Sequence, residues 1–206
     1  GTPMTRPERF WRLEAMRARL GPKKVVTWHK GCSVKELGWA KLDGMSEEER
    51  EDAHRQILDD NLFLSYYWGV AVPGRMNCEH GERYFGALRE LVDLITSGWH
   101  PSPAVDAPEG IFVARYGDGK GTRLAVINPG FAAREVELVL PGDYWPQFPE
   151  GRKLKLVLPA RQVMIAGPDF SRPARPCATL PPAKARKVFR PTFEELMSQS
   201  RIDGSW

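Results

Sequence analysis

The chain of 206 residues is 42% hydrophobic and 27% charged with a formal net charge of +4, ordinary globular material with enough apolar residues for a real core. Its longest nearly uncharged run, Leu62 to Gly74, is too short to span a bilayer, and no basic stretch followed by an apolar one opens the chain, so neither a membrane span nor a signal peptide is read from it. Three cysteines, Cys32, Cys78 and Cys177, exclude a disulfide scaffold and allow at most one bridge. The first residues are Gly1-Thr2-Pro3 rather than Met, which fits a trimmed start or a piece of something longer and leaves the compartment open.

Thr5 with Glu8 makes a capping box, and Phe10, Leu13, Met16 and Leu20 recur at helical spacing until Gly21-Pro22 stops the helix. Lys23 to His29 reads as a buried strand built on Val25, Val26 and Trp28. Ser46 with Glu49 starts a second helix whose first turn gathers carboxylates, where the positive end of the helix dipole favours them, and Ile57 and Leu58 are expected to face inward. Leu62 to Val72 fits either a continuation of that helix or a strand. Its β-branched and aromatic content favours a strand for the middle part. Gly81 to Ser97 predicts a further helix, with Tyr84, Leu88, Leu91, Val92 and Ile95 on one stripe and Gly98 just past its end.

Beyond Pro108 the period changes. Gly110–Tyr116 and Thr122–Asn128 alternate around a glycine-rich turn, the strongest hairpin signal in the chain. Arg134–Leu140, Lys153–Leu158 and Arg161–Ala166 follow as strands, and Pro141–Gly151 is expected to be a loop with exposed aromatics. Five such strands suit a small antiparallel sandwich. From Arg172 to Arg190 the chain is proline-rich with six basic residues and no acidic one, a composition that cannot bury a core and reads as a surface extension. No basic sheet interleaved with aromatics, finger or helix-turn-helix accompanies it, so a nucleic-acid partner is not expected. The expected organisation is therefore an α/β segment over 1–100, an all-β sandwich over 101–168 and a basic extension over 169–206.

The stretches LSYYWGVAVPG, ERYFGALRELVDLITSGWHPSPAV and IFVARYGDGKGTRLAVINPGFAAREVELVLP, from about Asp59 to Pro168, resemble the C-terminal part of bacterial glycoside hydrolases. That resemblance implies the last βα units of a (β/α)8-like barrel followed by a C-terminal antiparallel β-sandwich. It implies carbohydrate as the partner and hydrolysis by paired carboxylates carried on strands upstream of this segment. Strand Lys23–His29 departs from the pattern, ending in Trp-His-Lys instead of a carboxylate. A few βα units cannot close a barrel, so another chain or an upstream segment is expected to complete it. The alternative is a non-catalytic structural or interaction subunit that retains the sandwich.

In a barrel the C-terminal strand ends carry the site. Trp28, His29, Lys30, Tyr66, Tyr67 and Trp68 would then converge, with aromatic rings stacking on a sugar face and His or Lys bonding its hydroxyls. The competing reading places the aromatics in the core. Arg75 and Asn77 follow the second strand as further substrate-binding candidates, and Glu79 is the carboxylate there available for acid–base work. His29-x-x-Cys32 and Cys78-x-His80 are zinc-competent pairs, but their spacing fits no standard finger. Buried thiols with loop histidines, or a Cys32–Cys78 bridge, come before a metal. No metal or cofactor is expected: the glycines at 117, 119 and 121 sit in a hairpin, not before a helix. Trp99 and His100 are expected to staple the last helix to the sandwich.

Overall fold

The structure is a computed structural model that describes residues 15–21, 23–27, 44–71, 78–100, 105–148 and 150–174. Residues 15–20 are helical and stop at Gly21, whose φ of +87° and bond from its N–H to the Arg17 carbonyl (2.6 Å) terminate the turn. Met16 packs against the core, whereas Leu20, on the same expected stripe, is exposed. Next come β1 (Val26–Thr27), α1 (Glu47–Trp68), β2 (Val70–Ala71) and α2 (Cys78–Ser97). The strands β1 and β2 are parallel, pairing Val26 with Val70 and Thr27 with Ala71. This β-α-β-α order with parallel strands is the connection that a helical crossover imposes.

Helix α1 begins as its sequence dictates. The Ser46 hydroxyl accepts from the Glu49 N–H (3.3 Å), the Glu49 carboxylate accepts from the Ser46 N–H (2.9 Å), and Glu47, Glu48 and Glu49 fill the first turn. It does not give way to a strand at residue 62. Leu62–Trp68 is the last part of the helix, and the second parallel strand is the short Val70–Ala71 beyond it. Ile57 and Leu58 have side chains outside the described ones.

The β-half comprises β3 (Trp99–His100), β4 (Phe112–Tyr116), β5 (Arg123–Asn128), β6 (Arg134–Leu140), β7 (Arg152–Leu158), β8 (Gln162–Ala166) and β9 (Ser171–Pro173). The five expected strands are β4 to β8, and the two short edge strands β3 and β9 were not expected. They form an antiparallel five-stranded sheet in the order β3-β4-β5-β8-β9 and a separate β6-β7 ribbon. The α-then-β order read from the sequence therefore stands. Residues of the expected basic extension form β9, which pairs with β8.

Successive residues on β4, β5 and β8 point into different cores. Phe112, Ala114, Tyr116, Ala125, Ile127, Val163 and Ile165 pack with α1 and α2, while Val113, Leu124, Val126, Met164 and Ala166 pack against the ribbon. The central strands β4, β5 and β8 thus form a middle layer covered on both faces, and in place of the alternation expected for Gly110–Tyr116 and Thr122–Asn128 successive residues are buried on both sides. The ribbon has one wet face and alternates instead. Val136, Leu138, Leu140, Leu154, Leu156 and Leu158 are buried, and Val139 and Val157 are exposed on the other side. Glu137 on that outer face meets Lys153 (2.9 Å) and Lys155 (3.6 Å) across the ribbon. The hydrogen bond from Lys153, then its charge, hold the Glu137 carboxyl below its usual range.

The loop 141–151 corrects one expectation. Tyr144 and Trp145 are each 1% exposed, and the Trp145 indole N–H donates to the Thr122 carbonyl (3.0 Å). A two-stranded ribbon is too narrow to cover a five-stranded sheet, so loop aromatics fill the remaining area. Asn128 closes the opposite end. Its amide nitrogen donates to the carbonyls of Ala132 (2.9 Å), Leu158 (3.3 Å) and Pro159 (3.0 Å), and its oxygen accepts from the Gly130 N–H (3.0 Å). The Asn128-Pro129 turn is the joint between β5, β6 and β7.

Candidate functional site

The candidate site lies where the parallel strands end. Thr27 and Ala71 are register partners, so both strands reach the same level. The sequence runs on from them into Trp28-His29-Lys30 and into the segment holding Arg75 and Asn77, all of which lie outside the described residues. Glu79 is in the first turn of α2, and Cys78 is the first residue of that helix; their side chains are not among those described. His80 is in the same position, and Cys32 and Cys177 lie outside the described residues.

Tyr66, Tyr67 and Trp68 do not stand at a strand end. They occupy the last turn of α1 and are buried in the helix-side core at 1%, 5% and 1% exposure. The Tyr67 ring packs edge-on against Trp68 and Phe112, both with centroids at 5.5 Å. Expectation and structure part here because the run carries no alternation. A segment surrounded by protein on every side is apolar all round whether it is helix or strand, so periodicity cannot decide.

What fixes the level of β2 is the end of α1, and its backbone is held by side chains from elsewhere. Gly69 takes φ +58° and donates to the Ser65 carbonyl, a left-handed cap. The Tyr116 hydroxyl donates to the Tyr66 carbonyl, and the Trp99 indole N–H donates to the Tyr67 carbonyl (3.3 Å). Arg17 donates to the Gly69 carbonyl and to the Lys24 carbonyl (2.6 Å), with its guanidinium 5.3 Å over the Trp99 ring. A helix terminus leaves carbonyls without helical partners, and a buried one needs donors brought to it. Arg17 serves both strands at once: it holds the residue before β2 and a residue just ahead of β1. Burial pushes the Arg17 guanidinium below its ordinary value, against a raising effect of Tyr116. Burial drives the Tyr116 hydroxyl far up, with Arg17 opposing it.

The expected staple is present. Trp99 holds α1, and β3 pairs with β4 through Trp99–Tyr116 and His100–Arg115, while His100 meets Asp118 at 3.1 Å. A second polar tie runs from the Tyr66 hydroxyl to the buried Glu90 of α2 (3.2 Å) and from Glu90 to Arg172 of β9 (2.9 Å). Sequence reading missed Arg17, Glu90 and Tyr116. Each sits singly among residues of its own kind, and only tertiary contact distinguishes it. Among the described residues no group of three or more His, Cys, Asp and Glu is placed to hold a metal ion, and no helix is long and apolar enough to cross a membrane.

Compared with protein-family models, with curated proteins and with solved structures, the chain finds no match in any of the three.

Proposed function

We propose that this chain is the terminal portion of a carbohydrate-active, glycoside-hydrolase-like protein, with the hydrolytic carboxylates supplied by strands upstream. The observation that supports it is the β-α-β-α order with parallel, level strands, followed in the chain by an antiparallel sandwich that packs on the same helices. Level parallel strand ends are where barrel enzymes assemble their sites. Trp28, His29, Lys30, Arg75 and Asn77 follow those ends in sequence and are the residues proposed to meet sugar, with Glu79 in acid–base chemistry. An upstream segment or a second chain completes the barrel in this reading.

A second reading, a non-catalytic structural or interaction subunit, draws on one observation. Tyr67 and Trp68 are shut in the core, so the aromatic platform is reduced to Trp28. Native purification with solution mass measurement, followed by an oligosaccharide binding screen, separates the two. Association with βα-containing polypeptide, and sugar binding that weakens at least tenfold in Trp28→Ala, is the expected result. A lone chain on an unrelated partner, binding no oligosaccharide, sinks the carbohydrate reading and leaves the subunit one.

A further inference from the structure

Arg161 is a buried arginine outside the candidate site that reaches two turns of the fold at once. It opens β8 at a φ of +53°, a left-handed conformation in which glycine or asparagine is the ordinary choice. Its own N–H donates to the Gly130 carbonyl (2.9 Å), and its guanidinium donates to the Pro129 carbonyl (2.9 Å), which fixes it to the turn between β5 and β6. From there the side chain, 3% exposed, crosses to the middle of α1. It donates to the Gln56 carbonyl (2.9 Å) and the Asp60 carboxylate (2.7 Å), with Asp59 at 3.5 Å from Nε. The Phe63 and Phe131 rings lie 4.9 and 5.1 Å from the guanidinium carbon. One residue thereby joins a helix turn about 100 residues away to a sandwich turn about 30 residues away along the chain.

We propose that Arg161 is a coupling clamp that makes the helical layer and the β-sandwich open as one cooperative unit. The Tyr116 and Trp99 donors fix the C-terminal end of α1, and Arg161 meets the helix about two to three turns earlier, so together they hold it at two separated points. The guanidinium supplies direction, because its planar fork satisfies a carbonyl and a carboxylate of α1 only in one seating. It also penalises parting. Asp60 is buried, and pulling the layers apart breaks an ion pair whose members have been taken out of water. The positive φ fits this account, since a residue chosen only to open a strand would not be an arginine held there. The inference is independent of the carbohydrate reading.

Native-state hydrogen exchange tests it, read separately for amides of α1 and of the β6–β7 ribbon. In the unaltered protein both sets are expected to share one opening equilibrium. In Arg161→Met, which keeps the aliphatic stem and removes the fork, α1 protection is expected to fall at least tenfold more than that of the ribbon. Asp60→Asn breaks the same pair from the helix side and should reproduce the split, and it carries the comparison if Arg161→Met does not fold. In the double variant the second change should add less than a third of its single effect. Equal loss of protection in α1 and ribbon, or additive effects of the two substitutions, overturns the clamp and leaves Arg161 an ordinary buried ion pair.

Discussion

Tyr116 is fully buried, and its hydroxyl donates to the Tyr66 carbonyl near the end of α1. Tyr116→Phe takes the donor away from that carbonyl and should cost about 1–3 kcal/mol at neutral pH. The pH dependence has a definite sign. In the unfolded chain a tyrosine ionises near pH 10. Burial raises the native value well above that, so above about pH 10 the native state binds more protons than the unfolded one. The stabilisation is whole below about pH 10 and falls by about 1.4 kcal/mol per further unit until the native phenol itself ionises. Urea unfolding at neutral pH and near pH 11 should show Tyr116→Phe losing less on alkalinisation than the parent; an identical loss would mean that another group sets the slope. Two glycines give a matched pair at the same scale. Gly69 (φ +58°) and Gly119 (φ +54°) have nearly the same positive φ, but a Cβ at Gly69 would enter the Trp99 ring, whereas one at Gly119 meets nothing within 4 Å. Gly119→Ala should cost the left-handed penalty alone, about 1–2 kcal/mol. Gly69→Ala should exceed it by about 1–3 kcal/mol because the indole must move off its bond to Tyr67. Equal midpoint shifts in thermal unfolding would disprove the close approach.

At the scale of elements, what was legible in the sequence was whatever borders water or is joined by a glycine-rich turn, as β4 and β5 are. The Ser46–Glu49 box, the glycine after α2 and the alternating ribbon strands all have one polar side, and all were read close to where they lie. Leu62–Trp68 has none. Its seven residues are all buried, and helix wins over strand because no breaker separates Ser46 from Gly69 and because donors from Tyr116 and Trp99 meet its last carbonyls. Those donors come from residues about 30 to 50 positions away, beyond the reach of any local pattern. The candidate site was legible only as residue types at strand ends. Two strands ending side by side were expected with Leu62–Trp68 as the second, but that run is helix and the level partner of β1 is Val70–Ala71 just beyond it, whereas the membership of Tyr67 and Trp68 in the core was one of two readings. Trp68→Ala now carries an expected outcome. With 1% exposure it should lower stability by about 3–5 kcal/mol in chemical denaturation. A stability change within about 0.5 kcal/mol, the scale of a surface substitution, would return the residue to the surface.

The whole molecule is organised by the five-stranded sheet, whose strands β4, β5 and β8 are covered on both faces. A free-standing sandwich covers the inner faces of its sheets and leaves the outer faces polar. Here the outer face of the large sheet carries Phe112, Ala114, Tyr116, Ala125, Ile127, Val163 and Ile165, every one of them less than 10% exposed under α1 and α2. The change of period near residue 100 therefore marks a change of secondary structure, while the helix-side core runs straight across it from Leu62 to Ala174. Production of residues 101–206 alone tests this. Without the helices that apolar face meets water, and contiguous patches of this kind drive association. The expected product is aggregated or self-associated on size exclusion and binds a hydrophobic dye strongly, although its β6–β7 ribbon and their shared core are intact in sequence. Adding the 1–100 segment in trans should reduce both effects, since the Arg161 contacts and the Tyr116 donor provide specific seats for α1. A monomeric, cooperatively folded 101–206 that ignores the dye would show that the sheet can stand with that face exposed. The helices would then be a neighbour to the sandwich and not the second half of its core.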